Sequence, residues 1–161
     1  MFDIKTEFYL KVIFLFSFIV LISAFFIEHV LGHQPCNLCL IERIPYGLSI
    51  MIIFMIFLIK KNHEFFLLLL ILTFIFSFAI SFYHFGIEQG FFQESSICGV
   101  KSLTESITKE DLLKQLSKKI VSCRDVTFRV FGLSLTSINI VISLLFIITL
   151  LKIFNKYEKK R

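Results

Sequence analysis

Apolar positions in this chain come in blocks rather than at helical or strand intervals. Four runs without Asp, Glu, Lys or Arg stand out: Val12–Ile27, Ile44–Ile59, Phe65–Ile87 and Val130–Leu151. A helix that crosses a bilayer needs about 20 mostly apolar residues. The third and fourth runs meet that length unaided. The first meets it if it starts at Phe8 and Lys11 snorkels toward the headgroups. The second is short, and is extended only through Arg43 and Glu42 or helped by tilt and flanking contacts. The pattern predicts a single all-α integral membrane domain, a four-transmembrane-helix bundle. Its spans fall near residues 8–31, 44–59, 65–87 and 130–151, joined on one side by loops at 32–43 and 88–129. Tyr9, Tyr46, Tyr83 and Tyr157 each fall near an end of a different run, where amphipathic rings prefer the interface. No small-x-small cleavage site follows the first run, which is read as a retained helix.

Composition agrees. Hydrophobic residues make up 57% and charged residues 18%, against about 45–50% and about 25% in soluble domains, so a soluble globule is excluded. Charge orients the bundle only weakly. Of the 17 Lys and Arg, 9 lie on the side of the termini (5, 11, 60, 61, 152, 156, 159, 160, 161) and 8 on the other (43, 101, 109, 114, 118, 119, 124, 129). The terminal-side charges sit closer to the helix ends, which favours cytoplasmic termini. In the long loop, Thr108 followed by Glu110 and Asp111 resembles a helix start. Leu112, Leu113, Leu116 and Ile120 then recur at helical spacing opposite Lys114, Lys118 and Lys119. Such a short amphipathic helix lies in the membrane interface or packs on the bundle top; the pattern fits both.

All four cysteines lie on the loop side, outside the apolar runs. An even number on one aqueous face points to an oxidising compartment, in a bacterium the periplasm. Cys36 and Cys39 form a Cys-x-x-Cys. A disulfide closing so short a loop is worth only ~2 kcal/mol, against ~3.5 for one closing about 26 residues. It is a poor staple, but it suits thiol–disulfide exchange. Arg43, one turn beyond Cys39 if the segment is helical, would favour the Cys39 thiolate. Pro45 fits the first turn of the next helix, which would put the pair at that helix's positive end. A competing use is zinc: His29, His33, Cys36 and Cys39 give an H-x3-H-x2-C-x2-C array. Cys98 and Cys123 suit either a structural staple or a second, exposed redox pair. His84, at the loop-side end of the third run, is either an interfacial histidine or a functional one.

The segment Gln34-Pro35-Cys36-Asn37-Leu38-Cys39-Leu40-Ile41-Glu42-Arg43 resembles the signature of the disulfide bond formation protein B (DsbB) family. Tyr83-His84-Phe85-Gly86-Ile87-Glu88 leading to Cys98 is similar to the family's second loop, as is Val121-Ser122-Cys123 followed by Phe128 and Gly132-Leu133-Ser134. The resemblance covers nearly the whole chain. It implies an enzyme of the bacterial inner membrane, with cytoplasmic termini and periplasmic cysteine loops, that sustains protein disulfide bond formation. Such an enzyme reoxidises a DsbA-like thioredoxin-fold dithiol oxidase and passes the electrons to a membrane quinone, ubiquinone or menaquinone. By the same resemblance the disulfides are Cys36–Cys39 and Cys98–Cys123. Cys98 is the sulfur attacked by the partner and Cys123 the thiol it releases. Cys36 exchanges with the loop pair, Cys39 is the thiolate at the quinone, and Arg43 and His84 hold the quinone. Two departures stand out: a lysine-rich second loop, and no Trp, which leaves Phe and Tyr to line a quinone pocket. A quinone reductase of the vitamin K epoxide reductase type also combines two cysteine pairs with four helices. A non-enzymatic membrane scaffold with structural disulfides or a zinc site is the alternative from another class.

Overall fold

A computed structural model describes residues 4–59, 62–94, 98, 122–124, 129–130 and 132–160. Helices α1 (Ile4–His29), α2 (Asn37–Leu58), α3 (His63–Glu88) and α4 (Leu135–Lys160) are all long and apolar enough to cross a membrane. The chain is a four-helix membrane bundle. Just before α4, strands β1 (Arg129–Val130) and β2 (Leu133–Ser134) pair antiparallel, with Arg129 opposite Ser134. The expected amphipathic helix after Thr108 lies outside the described residues.

Two boundaries differ from the sequence expectation. The last helix starts at Leu135, because Val130 belongs to the hairpin. The second starts at Asn37, so Cys39, Glu42 and Arg43 are helical and Pro45 sits inside the helix rather than in its first turn. Proline has no N–H for the carbonyl four residues back, and such positions are tolerated in membrane helices. The extension runs through two charges because each has a counter-charge: Glu42 meets His84 and Arg43 meets Glu28. The short second run thus gains a span of 22 residues.

The bundle turns apolar side chains outward, among them Phe18, Ile22, Phe54 and Phe76, each at least half exposed. Small polar side chains line its interior. Ser17 and Ser49 join α1 to α2 at 2.9 Å, and Ser77 and Ser143 join α3 to α4 at 3.0 Å. Lipid offers helices no hydrophobic reason to associate, so close packing at small residues and interhelical hydrogen bonds hold them together. The half near the termini is apolar inside, built on Leu10, Ile53, Leu67, Leu70 and Leu150 around Phe74. The ring of Phe74 meets those of Phe146 and Tyr46 edge-on. Helix α4 packs closely on α3 but barely touches α1, which leaves a seam between the first and last helices.

At the end of α3 the chain doubles back. Gly90 takes a left-handed φ of 79°, and the N–H groups of Phe91 and Phe92 both donate to the Gly86 carbonyl. Phe92 then lies on Gly86, where any Cβ would overlap its ring, and stacks on Tyr83 at 5.6 Å. Glu94 follows, accepting from the Ser122 hydroxyl and the Arg124 N–H. This reversal brings the distant cysteines of the long loop over the bundle end.

Asn139 donates to Ser81 and Glu42 and accepts from the Tyr46 hydroxyl, so it ties together three helices. Its replacement by Ala strands three buried polar partners, each costing about 1–3 kcal/mol when unsatisfied. Ser77→Ala removes one interhelical bond of the kind worth about 0.6 kcal/mol. Thermal unfolding in detergent micelles should therefore show a much larger loss for Asn139→Ala than for Ser77→Ala; equal losses would contradict this account of the packing.

Candidate active site

Cys36 is the N-cap of α2. Its Sγ accepts the Cys39 N–H at 3.3 Å, in the position usually taken by a serine or aspartate oxygen. The Cys-x-x-Cys therefore lies at the positive end of α2, as the sequence suggested, though over its first turn rather than ahead of it. Both sulfurs are thiols in this structure, whereas Cys98 and Cys123 are joined in a disulfide. The expected Cys36–Cys39 bond is thus open.

The environments of the two thiols differ. Cys36 is buried and faces His84 Nε2 at 3.6 Å. Its thiol is pushed down to about 5, most strongly by the adjoining Cys39 thiol; the His84 ring and the Cys39 N–H act the same way, against the opposing effect of burial. Cys39 is half-buried and forms part of the wall of a cavity. By its contacts, the His84 ring and the Cys39 N–H, Cys36 is the sulfur whose negative charge is favoured, whereas the sulfur on the cavity is Cys39.

Behind Cys36 lies a buried polar network. His84 Nδ1 donates to Glu42 Oε1 at 2.8 Å, which leaves Nε2 turned toward Cys36. The other Glu42 oxygen accepts from Asn139 Nδ2 at 3.2 Å. Thr136 donates to Glu88 Oε1 at 2.7 Å and stands 3.3 Å from His84 Nδ1. Sequence reasoning singled out His84 but missed Glu42, Glu88, Thr136 and Asn139 as its companions. The available signal was polarity: Asn139 is the one asparagine in the last apolar run, and polar groups at membrane depth need partners.

The cavity, of about 270 Å³, fills the seam between α1 and α4. Its walls are apolar, with Phe16, Val20, Ile27 and Ile142, and its polar end is made by Cys39, Glu42, Arg43 and Asn139. Arg43 gives one guanidinium nitrogen to Glu28 and lies over the Phe25 ring at 5.4 Å. Its charge is paired with Glu28, and a guanidinium has further N–H donors that can serve a group bound in the cavity that it shares with Cys39. A sulfur and polar side chains at one end of an apolar slot between membrane-spanning helices are groups that could hold a flat apolar ring bearing carbonyl oxygens. His84, expected at such a ring, is not among the cavity-lining residues; its edge faces Cys36.

The two cysteine pairs come together. Cys36, Leu38, Ile87, Cys98 and Cys123 form one buried cluster, with Cys39 packed against it. An exposed loop disulfide was one expectation from the sequence. Here Cys98 is 0% and Cys123 2% exposed, because sulfur packs as an apolar group against Leu38 and Ile87. The histidine and cysteine array suggested for zinc does not assemble; His29 instead bonds the Phe25 carbonyl at 3.1 Å.

Comparison with known proteins agrees with this geometry. The family model described as disulfide bond formation protein DsbB matches residues 6–153. An uncharacterized protein of Rickettsia prowazekii (strain Madrid E) is 30% identical over 136 residues, covering 83% of this chain and 79% of that protein. With four membrane-spanning helices and two cysteine pairs gathered at one end, the chain belongs to the DsbB family of membrane oxidoreductases that act in disulfide bond formation.

Proposed function

We propose that this chain reoxidises a DsbA-like, thioredoxin-fold dithiol oxidase and delivers the electrons to a membrane quinone, ubiquinone or menaquinone. In this reading it lies in the bacterial inner membrane with cytoplasmic termini, and both cysteine loops are periplasmic. The observation that carries the proposal is the position of the Cys-x-x-Cys. Cys36 clusters with the loop disulfide, and Cys39 packs against that cluster while also lining the cavity between α1 and α4.

The exchange balances as follows. A partner thiolate attacks Cys98, forming a mixed disulfide and releasing Cys123 as a thiolate. Cys123 attacks Cys36 of an oxidised Cys36–Cys39 pair, and Cys39 leaves. The partner's second thiol then expels Cys98, which attacks Cys123 and frees Cys36. The products are an oxidised partner, a restored Cys98–Cys123 bond and a reduced Cys36/Cys39 pair; two electrons have moved. Since Cys98 is buried, the partner's attack requires the loop pair to leave its cluster.

A quinone supplies a two-electron, two-proton acceptor that dissolves in the bilayer. Cys39 and Arg43 would hold its ring at the polar end of the cavity. With such an acceptor bound, the dithiol would give up two electrons and two protons. Cys36, favoured as a thiolate, would close the bond to Cys39 once its proton has passed to His84, and Cys39 would release its proton and the electron pair to the acceptor. His84 acts on Cys36 from behind, holding or accepting its proton, with Glu42 fixing the ring. In this reading His84 is a positioning and proton-handling residue rather than a quinone contact.

Three outcomes test this reading. Purified protein given a reduced thioredoxin-fold dithiol should reduce quinone, read by loss of quinone absorbance, and Cys123→Ala should trap the partner on Cys98. No reduction with any quinone would sink the assignment. Arg43→Ala should raise the quinone KM roughly 10–100-fold, the worth of a hydrogen bond to a charged group, while dithiol exchange among the cysteines persists. The Cys36 thiolate should be present from about pH 5 upward in the folded, reduced protein, whereas an unfolded thiol stays protonated until about pH 8.5. Ultraviolet thiolate absorbance, taken as wild type minus Cys36→Ser, should titrate near the lower value and move up in His84→Ala. A midpoint near 8.5 in both proteins would show that His84 does not poise this sulfur.

A further inference from the structure

Cys36, Cys39 and His84 do more than face one another. Their ligand atoms all lie within 4.8 Å of each other. The separation of Cys36 Sγ from His84 Nε2 is 3.6 Å. Two ligands on tetrahedral zinc, with Zn–S of about 2.3 Å and Zn–N of about 2.0–2.1 Å, stand roughly 3.5 Å apart. The spacing is that of a zinc edge. The other ring nitrogen, Nδ1, donates to the Glu42 carboxylate at 2.8 Å. That is the carboxylate–histidine arrangement that fixes the tautomer and orients the free nitrogen toward a metal.

A buried carboxylate lies next to the histidine. Glu88 Oε1 is 3.9 Å from His84 Nε2, and the Glu88 side chain is only 6% exposed. Its second oxygen, Oε2, is buried without a hydrogen-bond partner among the described residues. A buried carboxylate oxygen left unsatisfied is costly, and a cation is one of the few things that satisfies it. With Glu42 half-buried against the other edge of the ring, the histidine lies between two carboxylates.

We propose that the dithiol form of this chain has a tetrahedral site for a soft divalent cation of the zinc class. Cys36, Cys39 and His84 supply three donors, Glu42 orients His84, and the fourth position is left to solvent or an exogenous ligand, with the Glu88 carboxylate beside His84 adding negative charge. The site exists only when Cys36 and Cys39 are reduced, because a disulfide offers no thiolate ligands. Occupancy ties up both sulfurs and stalls the pair in the dithiol state, so such an ion would act as a redox-gated brake. The ligand set differs from the His29/His33 array that the sequence suggested. It rests on the geometry of the reduced pair and not on the identity of the partner or the acceptor.

Cobalt(II) reports on this site without an activity assay. The full chain in detergent micelles is reduced with a phosphine, freed of reductant without air, and titrated with Co²⁺. Expected are one equivalent bound, thiolate-to-cobalt charge-transfer bands with the intense visible bands of tetrahedral cobalt, and their displacement by Zn²⁺. The bands should vanish when the wild-type pair is reoxidised with diamide, a control that needs no substitution. They should be lost in His84→Ala and survive unchanged in His29→Ala and His33→Ala. Glu42→Gln should weaken binding about 10–100-fold, as loss of an outer-shell partner does. Absence of tetrahedral bands in the reduced wild type would overturn the proposal. So would bands of unchanged affinity in the oxidised protein or in His84→Ala, or bands that depend on Cys98 and not on His84.

Discussion

A carboxylate inside an apolar bundle has few ways to exist. It must be paired and hydrogen-bonded on both oxygens, or lose its charge. Glu42 is paired on both, and much of the loop-side half of the molecule follows from that. One oxygen takes His84 from α3 and the other takes Asn139 from α4, so three helices converge on a single side chain. With the ring of His84 fixed by Glu42, its other edge is committed to Cys36. Arg43, the next residue along, is turned the opposite way, toward Glu28 on α1. The needs of two adjacent charges thereby position both sulfurs and all four helices around them. The half near the termini works under no such constraint. Aliphatic side chains around Phe74 fill it, and many arrangements of similar volume would serve.

Much of the fold was legible because hydropathy is local. Four runs, each with a tyrosine near its end, give the four spans, and the family signature follows from short motifs. What could not be read depends on contacts between distant residues. The start of α2 is the clearest case: Glu42 and Arg43 look like the end of a loop until His84 and Glu28 are known to face them. The same blindness affects Arg43. Spacing along the chain puts it one turn from Cys39, but Glu28, 15 residues earlier, is the group it meets. The burial of Cys98 and Cys123 was equally hidden, since it depends on the reversal at Gly90 and on Glu94 gripping Ser122 and Arg124.

The site also divides the two sulfurs of one short motif in a way their spacing does not announce. Two residues, Asn37 and Leu38, separate Cys36 from Cys39. Cys36 is buried within the cluster that holds the loop disulfide, whereas Cys39 packs against that cluster and also forms part of the wall of the seam between α1 and α4. A side chain at the N-cap points back over the helix start, whereas one in the first turn points out from its flank. A Cys-x-x-Cys that begins at an N-cap therefore presents its sulfurs in two directions while keeping them close enough to bond.

That geometry keeps the dithiol in touch with the loop disulfide and with the apolar cavity at once. Setting the motif one residue later would move Cys36 off the cap, away from His84, and would remove the Cys39 N–H that steadies its charge. The buried carboxylate network behind Cys36 then has a second consequence. By setting an oriented imidazole against a dithiol, beside a buried carboxylate, it creates three donors of a soft metal site at the moment the pair is reduced. The polar groups that favour a thiolate and those that favour a cation are the same groups. A membrane thiol oxidase built this way has to keep its reduced state brief or its surroundings poor in such ions.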